Sequence, residues 1–467
     1  MEFFFNPKSV AVIGASRNEK RPGHNVLKNI LELGYKGKVF PINPNVDTLL
    51  GLPVYPSIRD VPEAVELAII IVPTQSVLGI LKDCADKGVK GAVIITEGFA
   101  ETGDPENIQL QNKLKHLIRE TGIRVLGPGT MGIVSLQNHF TSSYVDFTGL
   151  DSTGTITFIA QSGIFAGGMV RYFATYDIPV SKIVSLGNKI DVDDADILNY
   201  LANDSQTRVI ALYIEGINDA KRFIEAARNI SKEKPVIVIK GGTTPSGARA
   251  ASSHTGAIAG NAALFSAIAK QTGLIQVESL TELIETAHAF SITPILPKGP
   301  RLAIITYSGC LGVVASDAAT KLGLQLAEFT HETSQKIKEV VFDRKFGANP
   351  IDTYPATLNM GNENVFTRSL SAVLNDPNVD GCIITVWGDD NPEEKSFSPH
   401  LRDIILQSHE KQKVTIVAVL GEKNGIERER KFFESAGIIT ALFTDQAVRI
   451  YKRLYDYSRF LEHKLKD

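Results

Sequence analysis

Cysteine is scarce in this 467-residue chain, and its cysteines are far apart. Cys84, Cys310 and Cys382 form no CxxC pair, which argues against a disulfide framework and against a cysteine metal site. Scattered free cysteines are typical of a reducing compartment. We therefore expect a soluble protein of the cytoplasm.

Long hydrophobic runs and a strong net charge are also absent. No stretch approaches the roughly 18–20 apolar residues that span a membrane, and the start Met1–Pro7 is unlike a signal peptide. The formal net charge is −3, which argues against electrostatic binding of bulk nucleic acid. We expect neither a membrane nor a nucleic acid as partner, while a local basic pocket for a phosphorylated ligand stays open.

Several motifs of catalysis and nucleotide binding are missing too. The chain has no GxxxxGK[ST] loop, no HExxH and no GxSxG. Seven of its nine histidines, all but His254 and His288, show no metal-ligand spacing, and we predict no metal site. Gly14 follows the first predicted strand without a full GxGxxG, and Asn43 ends the second where an NAD site has an acid. The missing acid weakens the case for a nicotinamide oxidoreductase.

Short β-branched runs alternate with longer amphipathic runs along the chain. The first predicted strands are Ser9–Ile13, Val39–Ile42, Leu67–Val72, Gly91–Ile95 and Arg124–Leu126. Apolar strands that alternate with helices predict a parallel sheet covered on both faces, in an α/β protein. A polar stretch at 142–154 and a proline-rich stretch at 293–300 divide the chain. The predicted domains are residues 1–142, 150–292 and 299–467.

The second and third predicted domains resemble each other. In each, an apolar strand leads into a Ser-Gly turn and a helix of small residues, at Ser162-Gly163 and at Ser308-Gly309. A hydroxyl, free N–H groups and a helix dipole make each turn a candidate phosphate site, although helix capping explains either one alone. Their repetition favours an anion site shared by the two domains.

One histidine has neighbours that suit reaction better than packing. His254 stands among small residues, between the apolar run 236–239 and a helix predicted from Ala262. Glu215 ends another apolar run, at a predicted sheet edge. A carboxylate there can hold one imidazole nitrogen and leave the other free to attack. A packing role for His254 and a capping role for Glu215 stay open.

These motifs together resemble the alpha subunit of the ADP-forming acyl-CoA (acetyl-CoA) synthetases, relatives of succinyl-CoA synthetase. The resemblance covers essentially the whole chain and rests on residues 12–16, 161–163, 188–191, 213–216 and 253–256. It implies an N-terminal Rossmann-like CoA-binding domain followed by two related flavodoxin-like parallel α/β domains.

The resemblance also implies a reaction. Acyl-CoA and phosphate would give acyl phosphate, His254 would take the phosphoryl group, and Glu215 would steady the phosphohistidine. Both Ser-Gly turns would hold phosphate. The loop around His254 would swing on the glycines Gly241, Gly242, Gly247, Gly256 and Gly260. Coenzyme A would contact turns and strand ends of the first domain, at Gly14, Ser16, Arg17, Asn43, Val72, Pro73, Thr96 and Glu97.

Partners follow from the same resemblance. ADP or ATP with Mg²⁺ would bind a separate ATP-grasp beta subunit, in an assembly of two alpha and two beta subunits. One departure is Gly127-Pro128-Gly129, since the family usually has Gly-Pro-Asn near the thioester. The alternative function is a non-catalytic CoA-binding regulator or scaffold built on the same domains.

Overall fold

The computed structural model describes residues 1–150, 154–255, 261–341, 348–391 and 397–464, and it leaves out the side chains of residues 252–255 and 464. The chain divides into two units, Met1–His288 and Ala289–Asp467. In the described part, no helix has both the length and the apolar character that crossing a bilayer requires.

The five predicted strands of the N-terminal region form one parallel sheet, in the order β2-β1-β5-β6-β7. Every residue of β1, β5 and β6 is buried, as in a sheet covered on both faces. The elements of this region are α1 Glu2–Phe5, β1 Ser9–Ile13, α2 Pro22–Glu32, β2 Lys38–Ile42, the hairpin β3 Thr48–Leu49 and β4 Leu52–Pro53, β5 Leu67–Ile70, α3 Val77–Asp86, β6 Gly91–Ile94, α4 Pro105–Thr121 and β7 Arg124–Leu126.

The second sheet also contains strands from the region just after β7. β8 and β9 lie antiparallel at its edge, and the order is β14-β13-β12-β10-β11-β8-β9. The elements are β8 Ile133–Ser135, β9 Phe140–Thr141, β10 Ile156–Ala160, α5 Gly163–Thr175, β11 Val180–Ser185, α6 Asp194–Ala202, β12 Val209–Ile214, α7 Ala220–Ile230, β13 Val236–Lys240, α8 Pro245–Thr255, α9 Ala262–Thr272, β14 Ile275–Gln276 and α10 Leu280–Ile292.

The C-terminal unit repeats this pattern. Its strands run in the order β16-β15-β18-β19-β20, which matches β11-β10-β12-β13-β14, and β17 pairs with β15. The elements are β15 Arg301–Thr306, α11 Gly309–Lys321, β16 Gln325–Leu326, α12 His331–Val341, β17 Ile351–Asp352, α13 Tyr354–Met360, α14 Asn362–Asn375, β18 Gly381–Gly388, α15 Ser398–His409, β19 Val414–Gly421, α16 Lys423–Ser435, β20 Ile439–Ala441 and α17 Thr444–Lys464. The predicted fold class is confirmed.

Within the N-terminal unit, the first two sheets share a hydrophobic core. One continuous cluster of buried side chains includes Val12 of β1 and Ile159 of β10. Arg124, at the start of β7, adds ion pairs to Asp191 at 3.0 Å and to Asp196 at 3.2 Å. These contacts fix the first sheet against the second, so features at their carboxyl edges keep a defined spacing.

Candidate functional site

A cavity of about 590 Å³ opens at the carboxyl edge of the first sheet. Ligands of such sheets bind outside the carboxyl ends of the strands, and the volume is in the range of small-molecule sites. Seven of the eight residues predicted to contact coenzyme A line it, namely Gly14, Ser16, Asn43, Val72, Pro73, Thr96 and Glu97.

The turn after β1 lies so close to its neighbours that two positions accept only glycine. A Cβ built on Gly14 would lie 2.0 Å from the carbonyl oxygen of Ile71, and one built on Gly23 would lie 2.1 Å from the carbonyl oxygen of Gly14. Asn43 fixes the same turn by donating to the Ala15 carbonyl at 2.7 Å. The turn therefore brings main chain and the start of α2 to the cavity wall, which suits a phosphate.

Seven lining residues were not predicted, among them Arg21 and Tyr144, and one predicted residue lies elsewhere. Arg17 is exposed and does not line the cavity, so this structure does not support its predicted contact. Arg21 lines the cavity from the position just before α2. Tyr144 lines it from the segment after β9, and burial together with the Glu97 carboxylate raises the pKa of its hydroxyl. Arg21 adds a positive charge at a helix start, and Tyr144 adds an aromatic wall near Glu97.

Glu97, which lines the cavity, lies close to Gly129. A Cβ built on Gly129 would lie 3.8 Å from Cγ of Glu97 and 3.8 Å from Oδ1 of Asn188. On its other side, a Cβ built on Gly163 would lie 3.5 Å from the Gly129 carbonyl oxygen. The Glu97 end of the cavity therefore adjoins the start of α5.

Asn188 connects the two domains at this junction. Its amide donates to Oε2 of Glu101 at 2.6 Å and to Oε1 of Gln111 at 3.1 Å. Burial would raise the pKa of Glu101, but hydrogen bonds from the Phe99 N–H and the Asn188 amide outweigh it and hold that pKa below its usual value. A carboxylate that stays ionised keeps the bond to Asn188 across the domain junction.

The start of α5 has the features of an anion site. Ser162 is the N-cap residue, and its side chain makes no capping hydrogen bond. The first turn of α5 contains no acidic residue. Unbonded N–H groups and the positive end of the helix dipole favour an anion at this place.

Glu215 follows β12, the strand that pairs with β10, and so lies beside the turn Gln161-Ser162-Gly163. Oε1 of Gln161 accepts from the N–H groups of Glu215 at 3.0 Å and of Gly216 at 3.1 Å. The Tyr213 hydroxyl donates to Oε1 of Glu215 at 3.0 Å. Glu215 is only 4% exposed, so the structure holds a buried, oriented carboxyl group beside the Ser-Gly turn.

The prediction of a loop at His254 is wrong for its main chain, because helix α8 spans Pro245–Thr255. Pro245 suits the first helical turn, and the Thr244 hydroxyl accepts from the Gly247 N–H at 3.1 Å. Gly247 therefore lies inside a helix rather than at a hinge. The side chain of His254 and the glycines Gly256 and Gly260 lie outside the described residues.

Helix α8 lies next to both halves of the site. It contacts the short 3₁₀ helix Ala100–Thr102, which follows the Glu97 strand end. A Cβ built on Gly242 would lie 3.3 Å from Cβ of Ala251, one helical turn before His254. Helix α8, which carries His254, is thus adjacent to the 3₁₀ helix that follows the Glu97 strand end and to the segment after β13.

The second Ser-Gly turn lies in the C-terminal unit. Ser308 is the N-cap of α11 and makes no side-chain capping bond. A Cβ built on Gly309 would lie 3.1 Å from Oδ2 of Asp352. A carboxylate at this helix start competes with phosphate for the same positive potential. Among the described residues, no three His, Cys, Asp or Glu side chains are grouped to hold a metal.

Two family models match the N-terminal unit. A CoA-binding domain matches residues 8–135, and a succinyl-CoA ligase-like flavodoxin domain matches residues 153–290. The first contains the cavity and the second contains α5, Glu215 and α8.

Relatives extend the match to the rest of the chain. The alpha subunit of acetate–CoA ligase [ADP-forming] II from Pyrococcus furiosus is 38% identical over 84% of this chain and 85% of its own length. Acetate–CoA ligase [ADP-forming] II from Archaeoglobus fulgidus is 41% identical over 86% of this chain, but the match spans only 60% of that longer protein.

A solved structure agrees with these relatives. Dinucleotide forming acetyl-coenzyme A synthetase 1 from Ca. Korarchaeum cryptofilum, in complex with phosphate and ADP, superposes with a TM-score of 0.86 at 34% identity, over 100% of this chain and 98% of that one. Sequence and fold thus agree over the whole chain. The chain belongs to the ADP-forming acyl-CoA synthetase family of ligases, within its alpha subunits.

Proposed function

We propose that this chain is the alpha subunit of an ADP-forming acyl-CoA synthetase. The complete enzyme converts acyl-CoA, ADP and phosphate reversibly into a carboxylic acid, ATP and CoA. One observation carries the proposal: Glu97 at the cavity wall lies beside Gly129, and the Gly129 carbonyl lies beside the start of α5, within one unit. A thioester and a phosphate can therefore meet at the junction of the two domains.

The first step is phosphorolysis of the thioester. A phosphate oxygen attacks the thioester carbonyl, the C–S bond breaks, and CoA leaves with the electron pair and a proton. The unbonded N–H groups at Ser162-Gly163 are suited to hold the phosphate during this attack. The product is an acyl phosphate at the start of α5.

The second step passes the phosphoryl group to His254. An imidazole nitrogen attacks phosphorus, the bond between phosphorus and the acyl oxygen breaks, and the carboxylate leaves. We assign Glu215 as the carboxylate that steadies the imidazolium character of the phosphohistidine. Its burial beside Ser162-Gly163 and the nearness of α8 to the cavity support this assignment.

The third step needs a partner. We infer that ADP with Mg²⁺ binds a separate ATP-grasp beta subunit, in an assembly of two alpha and two beta subunits. The relatives named as alpha subunits support a partner chain. We assign CoA binding to domain 1–142, the phosphohistidine to domain 150–292, and a supporting role to domain 299–467. Ser308-Gly309 is a weaker phosphate candidate than Ser162-Gly163, because Asp352 lies at its helix start.

Label transfer tests the function. The complex of this chain with its ATP-grasp partner, given Mg²⁺ and ATP radiolabelled at the γ-phosphate, should place acid-labile label on the chain. His254→Ala should abolish the label, while the matched control His288→Ala, on helix α10, should keep it. Label that survives His254→Ala contradicts the proposal. CoA binding without any label, whichever partner is supplied, is the result expected of a non-catalytic regulator.

A further inference from the structure

Side chains from three different segments hold the main chain at Glu215 and Gly216. Gln161 accepts from both N–H groups, as described above. The two carbonyl oxygens accept from two lysines, since Nζ of Lys240 lies 2.6 Å from the Glu215 oxygen and Nζ of Lys189 lies 2.6 Å from the Gly216 oxygen. Four main-chain groups in succession are thus fixed by side chains, which is far more than a turn needs for chain reversal.

The two lysines differ in how their charge is balanced. Lys189 is paired with the carboxylate of Asp194 at 2.8 Å. Lys240 is 8% exposed, and its second partner is its own neighbour's carbonyl, that of Gly241. Among the described residues, no carboxylate lies within ion-pair distance of Lys240. Burying an ammonium group with only carbonyl partners is costly, so a structural role alone does not account for it.

Glu215 is the carboxylate whose charge acts on this ammonium. Burial lowers the pKa of Lys240, while Glu215 opposes the shift and Lys189 adds to it. The other charged or titratable groups around the pair are Tyr213 on β12 and Asp194 on α6. β12 and β13 bring the two together because Ile214 is in register with Lys240 in the parallel pair.

The segment after Lys240 leaves room for this arrangement. A Cβ built on Gly241 would lie 3.0 Å from the Tyr213 hydroxyl and 3.5 Å from Cγ of Glu215. Glycine at 241 thus lets the main chain that leads to α8 pass directly beside the Glu215 carboxylate and its tyrosine partner. Lys240 stands at the start of that segment.

We propose that Lys240 is a positioning residue for Glu215: its ammonium group fixes the main chain at 215 and sets a positive charge near the carboxylate while the phosphohistidine forms. This inference rests on the proposed function of Glu215. It goes beyond that function because it names the residue whose positive charge supports the buried carboxylate.

Three substitutions separate the charge of Lys240 from its hydrogen bonds. Lys240→Met removes both, Lys240→Gln keeps N–H donors without charge, and Lys240→Arg keeps both. We measure the rate of His254 phosphorylation against pH in the complex with the partner subunit. Because a nearby positive charge favours the charged form of a carboxylate, its removal should move the acidic limb to higher pH by about one unit in the Met and Gln variants. The maximal rate should fall by about tenfold, less than when a directly contacting donor is lost.

Lys182→Met is the matched control. Lys182 is also buried in this sheet, but it is paired with Asp204 at 2.7 Å and lies away from Glu215. That variant should lose stability and keep the wild-type acidic limb. CoA affinity, measured by calorimetry, should stay within about twofold in the Lys240 variants, because the cavity belongs to the first sheet.

Each result decides the matter. An unshifted acidic limb in Lys240→Gln, or the same shift in Lys240→Arg as in Lys240→Gln, overturns the inference, and this pair decides even if Lys240→Met does not fold. Absence of phosphorylation in the wild-type complex would instead contradict the proposed function itself.

Discussion

The two edges of the second sheet bury lysine in opposite ways. At the amino edge, Lys182 donates to Asp204 at 2.7 Å and to Gln206 at 2.8 Å, so its charge meets a carboxylate directly. At the carboxyl edge, Lys240 donates to carbonyl oxygens and faces Glu215 without an ion pair in the described residues. The same residue type is neutralised at one edge and left partly uncompensated at the other.

The two lysines therefore have different roles, one in stability and one in function. Two oppositely charged groups in contact satisfy each other, and removing one leaves the other buried alone. A cation held only by carbonyl oxygens still attracts a further negative charge. Charges of this kind are typical of catalytic sites. The carboxyl edge also holds the start of α5, which lies beside Gly129 next to the Glu97 end of the cavity. The comparison assigns a structural role to the amino edge and a chemical one to the carboxyl edge.

The largest loss of stability is expected at the amino edge of the second sheet. Lys182→Met leaves the Asp204 carboxylate without its cation, and such losses cost about 3–5 kcal/mol of unfolding free energy. Urea denaturation of the chain measures this cost. Phosphorylation of the surviving folded protein should be close to the wild-type rate. A stable variant with slow phosphorylation would reverse the roles assigned to the two edges.

Substitution at the carboxyl edge should lower the rate of phosphoryl transfer rather than the stability of the fold. Glu215→Gln keeps the shape and removes the charge, so phosphoryl transfer should fall by about a hundredfold, equivalent to about 2.7 kcal/mol of transition-state stabilisation. The exposed Glu225→Gln is the control and should leave the rate unchanged. Wild-type turnover in Glu215→Gln would mean that this carboxylate is misassigned.

Much of the cavity was predictable, because the carboxyl ends of parallel strands meet at one edge. Thr96 and Glu97 follow from that rule alone. Tyr144 was missed because it reaches the cavity from the segment after β9, and no local pattern marks that return. The contact of Lys240 with Glu215 depends on the register of β12 and β13, which one sequence does not reveal. Helix α8 was missed because its proline, its serines and the glycine within it favour turns over helices.

Two glycines test how rigid the main chain is at the carboxyl edge of the first sheet and at its junction with the second. Gly14 and Gly129 both have positive φ, +95° and +69°, so alanine costs conformational energy at either place. Only at Gly14 would the new methyl group meet main chain, at 2.0 Å, whereas its nearest neighbours at Gly129 are 3.8 Å away.

Gly14→Ala should therefore be less stable than Gly129→Ala by about 1–2 kcal/mol in urea denaturation, the size of one strained residue. Calorimetry should also show weaker CoA binding for Gly14→Ala. Equal losses in the two variants would mean that the turn after β1 yields to the methyl group, and the rigid cavity wall inferred above would be wrong.

The most direct test runs the reaction forward on the complex without ADP. With acyl-CoA and radiolabelled phosphate, the account predicts that His254 becomes labelled, that CoA is released in equal amount, and that no label appears when acyl-CoA is omitted. Label on another residue, or CoA release with no labelled histidine, would contradict the claim that thioester and phosphate chemistry share this site.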